Sequence, residues 1–130
     1  MNEKKNEFGE YVANKRKEKG KTIRPFAKEV GISPAYLSDL ETGRRPVANG
    51  DEWQPLLKAI SDVLGFDAKQ EHDLRLFADK SLLENNKLSS DVGEYLRSIP
   101  FISELLRKAF ENNVSIEKWQ QFLNEIEKKD

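Results

Sequence analysis

Between Thr22 and Arg45 the sequence gathers side chains that bind anions: the hydroxyls of Thr22, Ser33 and Thr42 and the cations Arg24, Lys28, Arg44 and Arg45, with Lys21 just ahead. Among them, Pro34, Ala35, Tyr36, Ser38 and Asp39 offer small apolar, hydroxyl, phenol and carboxylate groups. The chemistry this permits is recognition of a polyanion by hydrogen bonds and charge, without bond making. Covalent chemistry lacks its residues. His72 is the only histidine, and its neighbours Glu71 and Asp73 point to different sides of a helix. That excludes a His-based triad and a metal cluster. There is no cysteine, so no disulfide or thiolate metal site is possible, and redox does not constrain the compartment. Glycines are spread singly at turns rather than in a phosphate-binding loop. We expect no enzyme, no cofactor and no metal.

Two short helices joined by a tight turn must position those side chains. Thr22 is expected to cap the first helix with its side-chain oxygen, and Pro25 is tolerable in the first turn. Phe26, Ala27 and Val30 share a face. Gly31 stands where a helix ends in a left-handed conformation, and Ile32 anchors the turn in the core. Ser33 caps the second helix and Pro34 suits its first position. Leu37 and Leu40 face inward, leaving Pro34, Ala35, Ser38, Asp39 and Thr42 outside. Small Ala27 and Gly31 allow a close, steep crossing. This is the layout of a helix-turn-helix, which sets one small helix in the major groove of duplex DNA.

Residues 8–66 resemble the lambda-repressor-like (Xre-type) helix-turn-helix family. The resemblance is carried by Phe26-Ala27, Val30-Gly31-Ile32-Ser33, Tyr36-Leu37-Ser38-Asp39-Leu40-Glu41-Thr42-Gly43-Arg44-Arg45 and the closing Leu57, Ile60 and Leu64-Gly65. It implies an all-α fold: a five-helix DNA-binding domain in which the helix at 34–41 enters the major groove, with a C-terminal helical extension. It also implies that Arg16 and Glu41 form a structural ion pair tying helix 1 to the end of that helix. The family often has a phosphate-clamping Gln after the Thr22-like cap. Here Ile23 stands there, and Arg24 can take over the contact.

On this reading the phosphate contacts fall to Thr22, Arg24, Lys28, Ser33, Thr42, Arg44 and Arg45, with the helix amino ends adding free N–H groups. Base reading falls to Pro34, Ala35, Tyr36, Ser38 and Asp39. That face has no Gln, Asn, Arg or Lys to make a bidentate pair with a purine. Asp39 can accept from cytosine, Ser38 can donate or accept, and Pro34 or Ala35 can meet a thymine methyl. Specificity then leans on few direct contacts and on DNA shape. Tyr36 has two open roles, packing beside the turn or reaching the DNA.

Net charge is −1, yet it is unevenly placed: residues 1–50 hold 11 Lys/Arg against 7 Asp/Glu, and residues 51–130 hold 11 against 16. A basic half over the motif and an acidic half beyond it fit a DNA face and a region that contacts something else. No apolar run approaches a membrane span, the polar Met1–Glu7 start shows no signal peptide, and a cytoplasmic location is expected.

About eight helices and no strand are expected. Helix 1 covers roughly 4–19 and ends at Gly20. Asp51-Glu-Trp-Gln54 has capping-box spacing and opens a helix with Trp53, Leu56, Leu57, Ile60 and Leu64 inward. Asp67-Ala-Lys-Gln70 repeats the device, with Leu74, Phe77 and Ala78 inward. Ser81–Ser90 reads as a connector. Pro100 begins a helix, Asn112-Asn113 breaks it, and Ser115 caps the last. We expect a DNA-binding domain over 1–66 and a helical region over 67–130, the latter similar to C-terminal helices in one branch of Xre-type regulators. Its aromatics either complete the core or form a subunit interface, and a homodimer through residues 91–130 is expected, since operators are usually paired half-sites. The function that follows is a sequence-specific transcriptional regulator of the repressor kind. The alternative is a protein-interaction module on the same fold, an antitoxin or adaptor. The DNA-binding reading requires no membrane.

Overall fold

A computed structural model describes residues 6–47 and 53–128. Among them are eight α-helices and no strand: α1 (Glu7–Glu18), α2 (Ile23–Val30), α3 (Pro34–Thr42), α4 (Trp53–Leu64), α5 (Ala68–Glu84), α6 (Ser90–Arg97), α7 (Ile102–Glu111) and α8 (Ile116–Glu127). The all-α class agrees with expectation. Among the described residues of 1–66 there are four helices rather than five, and α5 follows them. The chain divides into two compact units, Met1–Val92 and Gly93–Asp130.

Local chemistry explains most boundaries of the first unit. Asn6 caps α1, Glu7 and Glu10 sit in its first turn, and Lys15, Arg16 and Lys17 sit in its last, each sign suited to the helix dipole. Gly31 takes φ +86°, and the Ile32 amide closes back on the Ala27 carbonyl at 3.0 Å. Ser33 Oγ accepts from the Tyr36 amide at 3.0 Å, with Pro34 at the first helical position. Thr22 corrects an expectation. It holds the extended N-cap conformation of α2, but its side chain makes no capping bond. Pro25 is the third residue of α2 and has no N–H, so a usual partner of a capping oxygen is missing.

The core of this unit is continuous. Phe8 and Val12 of α1, Phe26, Ala27 and Val30 of α2, Leu37 and Leu40 of α3, and the Trp53, Leu56, Leu57, Ile60 and Leu64 stripe of α4 are all buried together. Phe8 and Trp53 rings meet at 5.4 Å. Helix α1 packs on α3 and α5, α2 on α3 and α4, and α4 on α5. The capping residues expected at Asp51 and Glu52 lie outside the described residues. The Asp67–Gln70 box forms in full, at 2.8 and 3.0 Å.

Helix α5 runs further than expected, through Glu84, so the first residues of the presumed connector are helical. Ala68–Glu84 contains neither Gly nor Pro, and fully buried Leu82 extends the stripe of Leu74 and Ala78 by one more turn. Asn85 then caps the helix and Asn86 turns left-handed at φ +60°. Burial and the nearby Asp91 charge push the Asp79 carboxyl above its ordinary range. Asp91 itself is held below that range by the Ser89 hydroxyl, which donates to it at 2.7 Å.

The second unit has a different balance. Phe101, not Pro100, is the N-cap of α7, and the Ile102 amide reaches only the Ile99 carbonyl. Asn112 caps the far end and Asn113 takes φ +52°. Ser115 Oγ accepts from the Lys118 amide at 3.2 Å and opens α8. None of the described residues from Gly93 onward is buried, and Tyr95, Phe101, Phe110, Trp119 and Phe122 are all exposed.

Candidate nucleic-acid interface

The two buried residues of α3, Leu37 and Leu40, fix its orientation in the first unit. With those on the inside, Ala35 and Thr42 are exposed and Pro34, Tyr36, Ser38 and Asp39 are half-buried. The helix runs one residue past the expected end, to Thr42. Thr22, Arg24 and Lys28, at the start of α2 and along it, and Ser33, the N-cap of α3, are exposed. The Ser33 hydroxyl accepts the helix amide and still has its own proton to donate. Thr42 differs: its hydroxyl donates to the Ser38 carbonyl at 2.9 Å, so its one proton is already engaged inside the helix. Lys21 pairs with Glu29 at 3.2 Å.

Past α3 the backbone reverses at Gly43, φ +85°, where the Gly43 amide bonds the Asp39 carbonyl at 3.0 Å. The Arg45 amide reaches the same oxygen at 3.2 Å. This folds Arg44 and Arg45 back beside the helix. Their guanidinium groups lie 3.9 and 4.0 Å from the Asp39 carboxylate, and their side chains remain 77% and 59% exposed. The Arg45 guanidinium also sits 5.0 Å from the centre of the Tyr36 ring. Tyr36 thus packs against a cation and also borders the outer face.

Behind this surface lies a two-pronged ion pair. Arg16 Nε donates to Glu41 Oε2 at 2.8 Å and Nη2 to Oε1 at 2.9 Å, while Nη1 donates to the Lys21 carbonyl at 2.8 Å. The side chains are only 8% and 7% exposed. The Glu41 hydrogen bonds raise the Arg16 pKa further, against the opposing effect of burial. The pair joins α1, the α1–α2 turn and the last turn of α3.

The helix-turn-helix family model matches residues 12–50, the stretch that holds the Arg16–Glu41 pair, both motif helices and the two arginines. The chain belongs to the lambda-repressor-like (Xre-type) helix-turn-helix family. Among solved structures it is similar to the clp gene regulator ClgR from Corynebacterium glutamicum. One ClgR crystal structure shares 33% identity over 58% of this chain and 87% of that one, with a TM-score of 0.42. A second shares 28% over 74% and 88%, with a TM-score of 0.44. A SinR protein/SinI protein complex shares 22% over 92% and 94%, with a TM-score of 0.42. No curated protein matches the chain.

The helix-turn-helix domain holds two residues that sequence reasoning passed over. Asn6 Nδ2 donates to the Glu41 carbonyl at 2.6 Å while Oδ1 accepts the Gly9 amide at 3.3 Å. Gly9 is buried against the last turn of α3. An Asn one residue before an amphipathic run is itself a capping signal, and it was legible. The grip on α3 was not, because it depends on a carbonyl 35 positions away. His72 is exposed, and no group of residues among those described could hold a metal. None of the described helices is long and apolar enough to cross a membrane.

Proposed function

We propose that this chain is a sequence-specific regulator of transcription in the cytoplasm, of the repressor kind, that reads double-stranded DNA by inserting α3 into the major groove. One observation carries the reading. Helix α3 packs on α1 and α2, on its inner side, while Ala35, Thr42, Arg44 and Arg45 stay open to solvent. An exposed small helix with a cationic shoulder matches a polyanionic groove in both shape and charge. Thr22, Arg24, Lys28, Ser33 and Arg44 lie around it as phosphate contacts. The chain's own chemistry in this role is binding, with no reaction.

A homodimer through residues 91–130 completes the reading. Gly93–Asp130 is shorter than the ~40 residues below which a unit needs disulfides, metals or association to hold a fold. It has no cysteine, and its aromatics are exposed. A second copy of the same region supplies the missing burial, and a dimer brings two α3 helices to an operator of paired half-sites. Sedimentation at tens of micromolar is expected to show a dimer. A strict monomer would remove the dimer and leave the DNA face standing.

The same apolar surface also suits a foreign protein, which is what favours the second reading, an interaction module on this fold. DNA separates the two. Titration of duplexes enriched from a random pool is expected to give binding that weakens steeply with salt, and that is lost when Arg44 and Arg45 both become Ala. Binding that is absent in the parent chain, or unchanged in the double variant, would favour the protein partner.

A further inference from the structure

The outer face of α3 lacks any side chain that pairs bidentately with a purine, but the Arg45 guanidinium stands close to two of its residues. Tyr36 lies in the first turn of α3 and Asp39 one turn further along the same side. Because Gly43 reverses the chain and the Arg45 amide is bonded to the Asp39 carbonyl, position 45 is carried back along the helix instead of away from it. Its guanidinium ends 5.0 Å from the Tyr36 ring centre and 4.0 Å from Asp39 Oδ2. A cation from beyond the helix C-terminus therefore reaches the ring of Tyr36, a residue of the first turn, and the amino-terminal residues are those that meet base edges in this mode of docking.

We propose that Arg45, held between the Tyr36 ring and the Asp39 carboxylate, reads one guanine of the target site, while the neighbouring Arg44 stays with phosphate. The inference rests on the DNA-binding reading above and assigns the specificity within it. A guanidinium carries five N–H donors in a planar fork. One edge faces the carboxylate, and another remains for guanine O6 and N7, the commonest specific contact in the major groove. The tyrosine ring and the carboxylate restrict the rotamers of a long side chain before DNA arrives, so less entropy is lost on binding. The arrangement also explains an acid on a face that meets phosphates: two arginines offset the Asp39 charge. Arg44 lacks the aromatic contact and is the more exposed of the two.

The test uses the full chain and three variants, Arg45→Lys, Arg45→Ala and Tyr36→Leu, each first shown to melt like the parent. The parent selects a consensus from random duplexes, and each G·C pair in it is then exchanged for A·T. One exchange is expected to weaken the parent about 5- to 150-fold, the range for one bidentate pair. Arg45→Lys keeps the charge and loses the fork, so the same exchange is expected to cost it less than about threefold. Tyr36→Leu is expected to lose discrimination at that one position. The proposal is overturned if Arg45→Lys discriminates like the parent at every position. It is equally overturned if Arg45→Ala weakens all duplexes alike and lowers the salt slope by about one, the mark of a phosphate contact. A parent that selects no duplex defeats the DNA-binding reading first and this assignment with it.

Discussion

Glu41→Ala is expected to lower the stability of the first unit by about 3 kcal/mol, at the lower end of what breaking one side of a buried ion pair costs. The magnitude follows from burial. Both side chains are nearly closed to solvent, and Glu41 satisfies two of the three Arg16 hydrogen bonds. An exposed pair would be worth at most about 1 kcal/mol. Without the carboxylate, the guanidinium keeps only the Lys21 carbonyl and must either stay buried with its charge uncompensated or swing out and open the core edge. For a unit of this size the loss corresponds to a fall in melting temperature of roughly 12–24 °C. Glu41→Gln, which keeps one acceptor oxygen, should fall between. The Glu41 side chain turns inward from the last turn of α3, toward Arg16 of α1, so duplex selection below the melting range should return the parent's consensus. Unchanged melting would show the pair to be worth no more than a surface contact.

How far the sequence revealed this arrangement depended on the range of each interaction. Turn and cap chemistry is local, and Gly31, Ser33, Pro34, Asp67 and Gln70 announced helix ends that the structure contains. Helical spacing was legible in α4, where Trp53, Leu56, Leu57, Ile60 and Leu64 are all buried. Local rules failed where two competed. Thr22 is a good capping type, but Pro25 three residues later removes an N–H it could have served. The polar Glu84-Asn85-Asn86-Lys87 run signalled a loop, yet burial of Leu82 carries α5 into that run, through Glu84, before Asn85 ends it.

The candidate site divides the same way. That Pro34, Ala35, Ser38 and Asp39 lie off the core side follows from period alone, given Leu37 and Leu40. The contact of Arg45 with Tyr36 depends on the left-handed turn at Gly43 and spans nine positions, beyond any helical spacing. The Arg16–Glu41 pair, 25 positions apart, became legible through family resemblance rather than spacing. Val47 is buried, yet the stretch around it carried no periodic signal to place it inside.

Gly9→Ala is expected to destabilise the first unit by about 1–3 kcal/mol, although helix propensity alone predicts a gain of about 1 kcal/mol. The sign is decided by what the new methyl meets. A Cβ built at Gly9 would stand 2.5 Å from the Glu41 carbonyl oxygen and as close to that of Leu40. Both are backbone atoms of α3's last turn, and neither can rotate aside. Helix α1 would have to move away from α3, loosening the Asn6 bond to the Glu41 carbonyl and the Arg16 fork on the Glu41 carboxylate together. Those bonds hold the turn from which Arg44 and Arg45 fold back, so duplex affinity should fall even at temperatures where the variant is folded. Glu41→Ala removes a side chain and leaves the two backbones free to stay in contact, whereas Gly9→Ala pushes them apart. Comparing the two variants at equal fraction folded therefore separates loss of stability from displacement of the reading helix. If Gly9→Ala melts higher than the parent, α1 and α3 do not approach as closely as described.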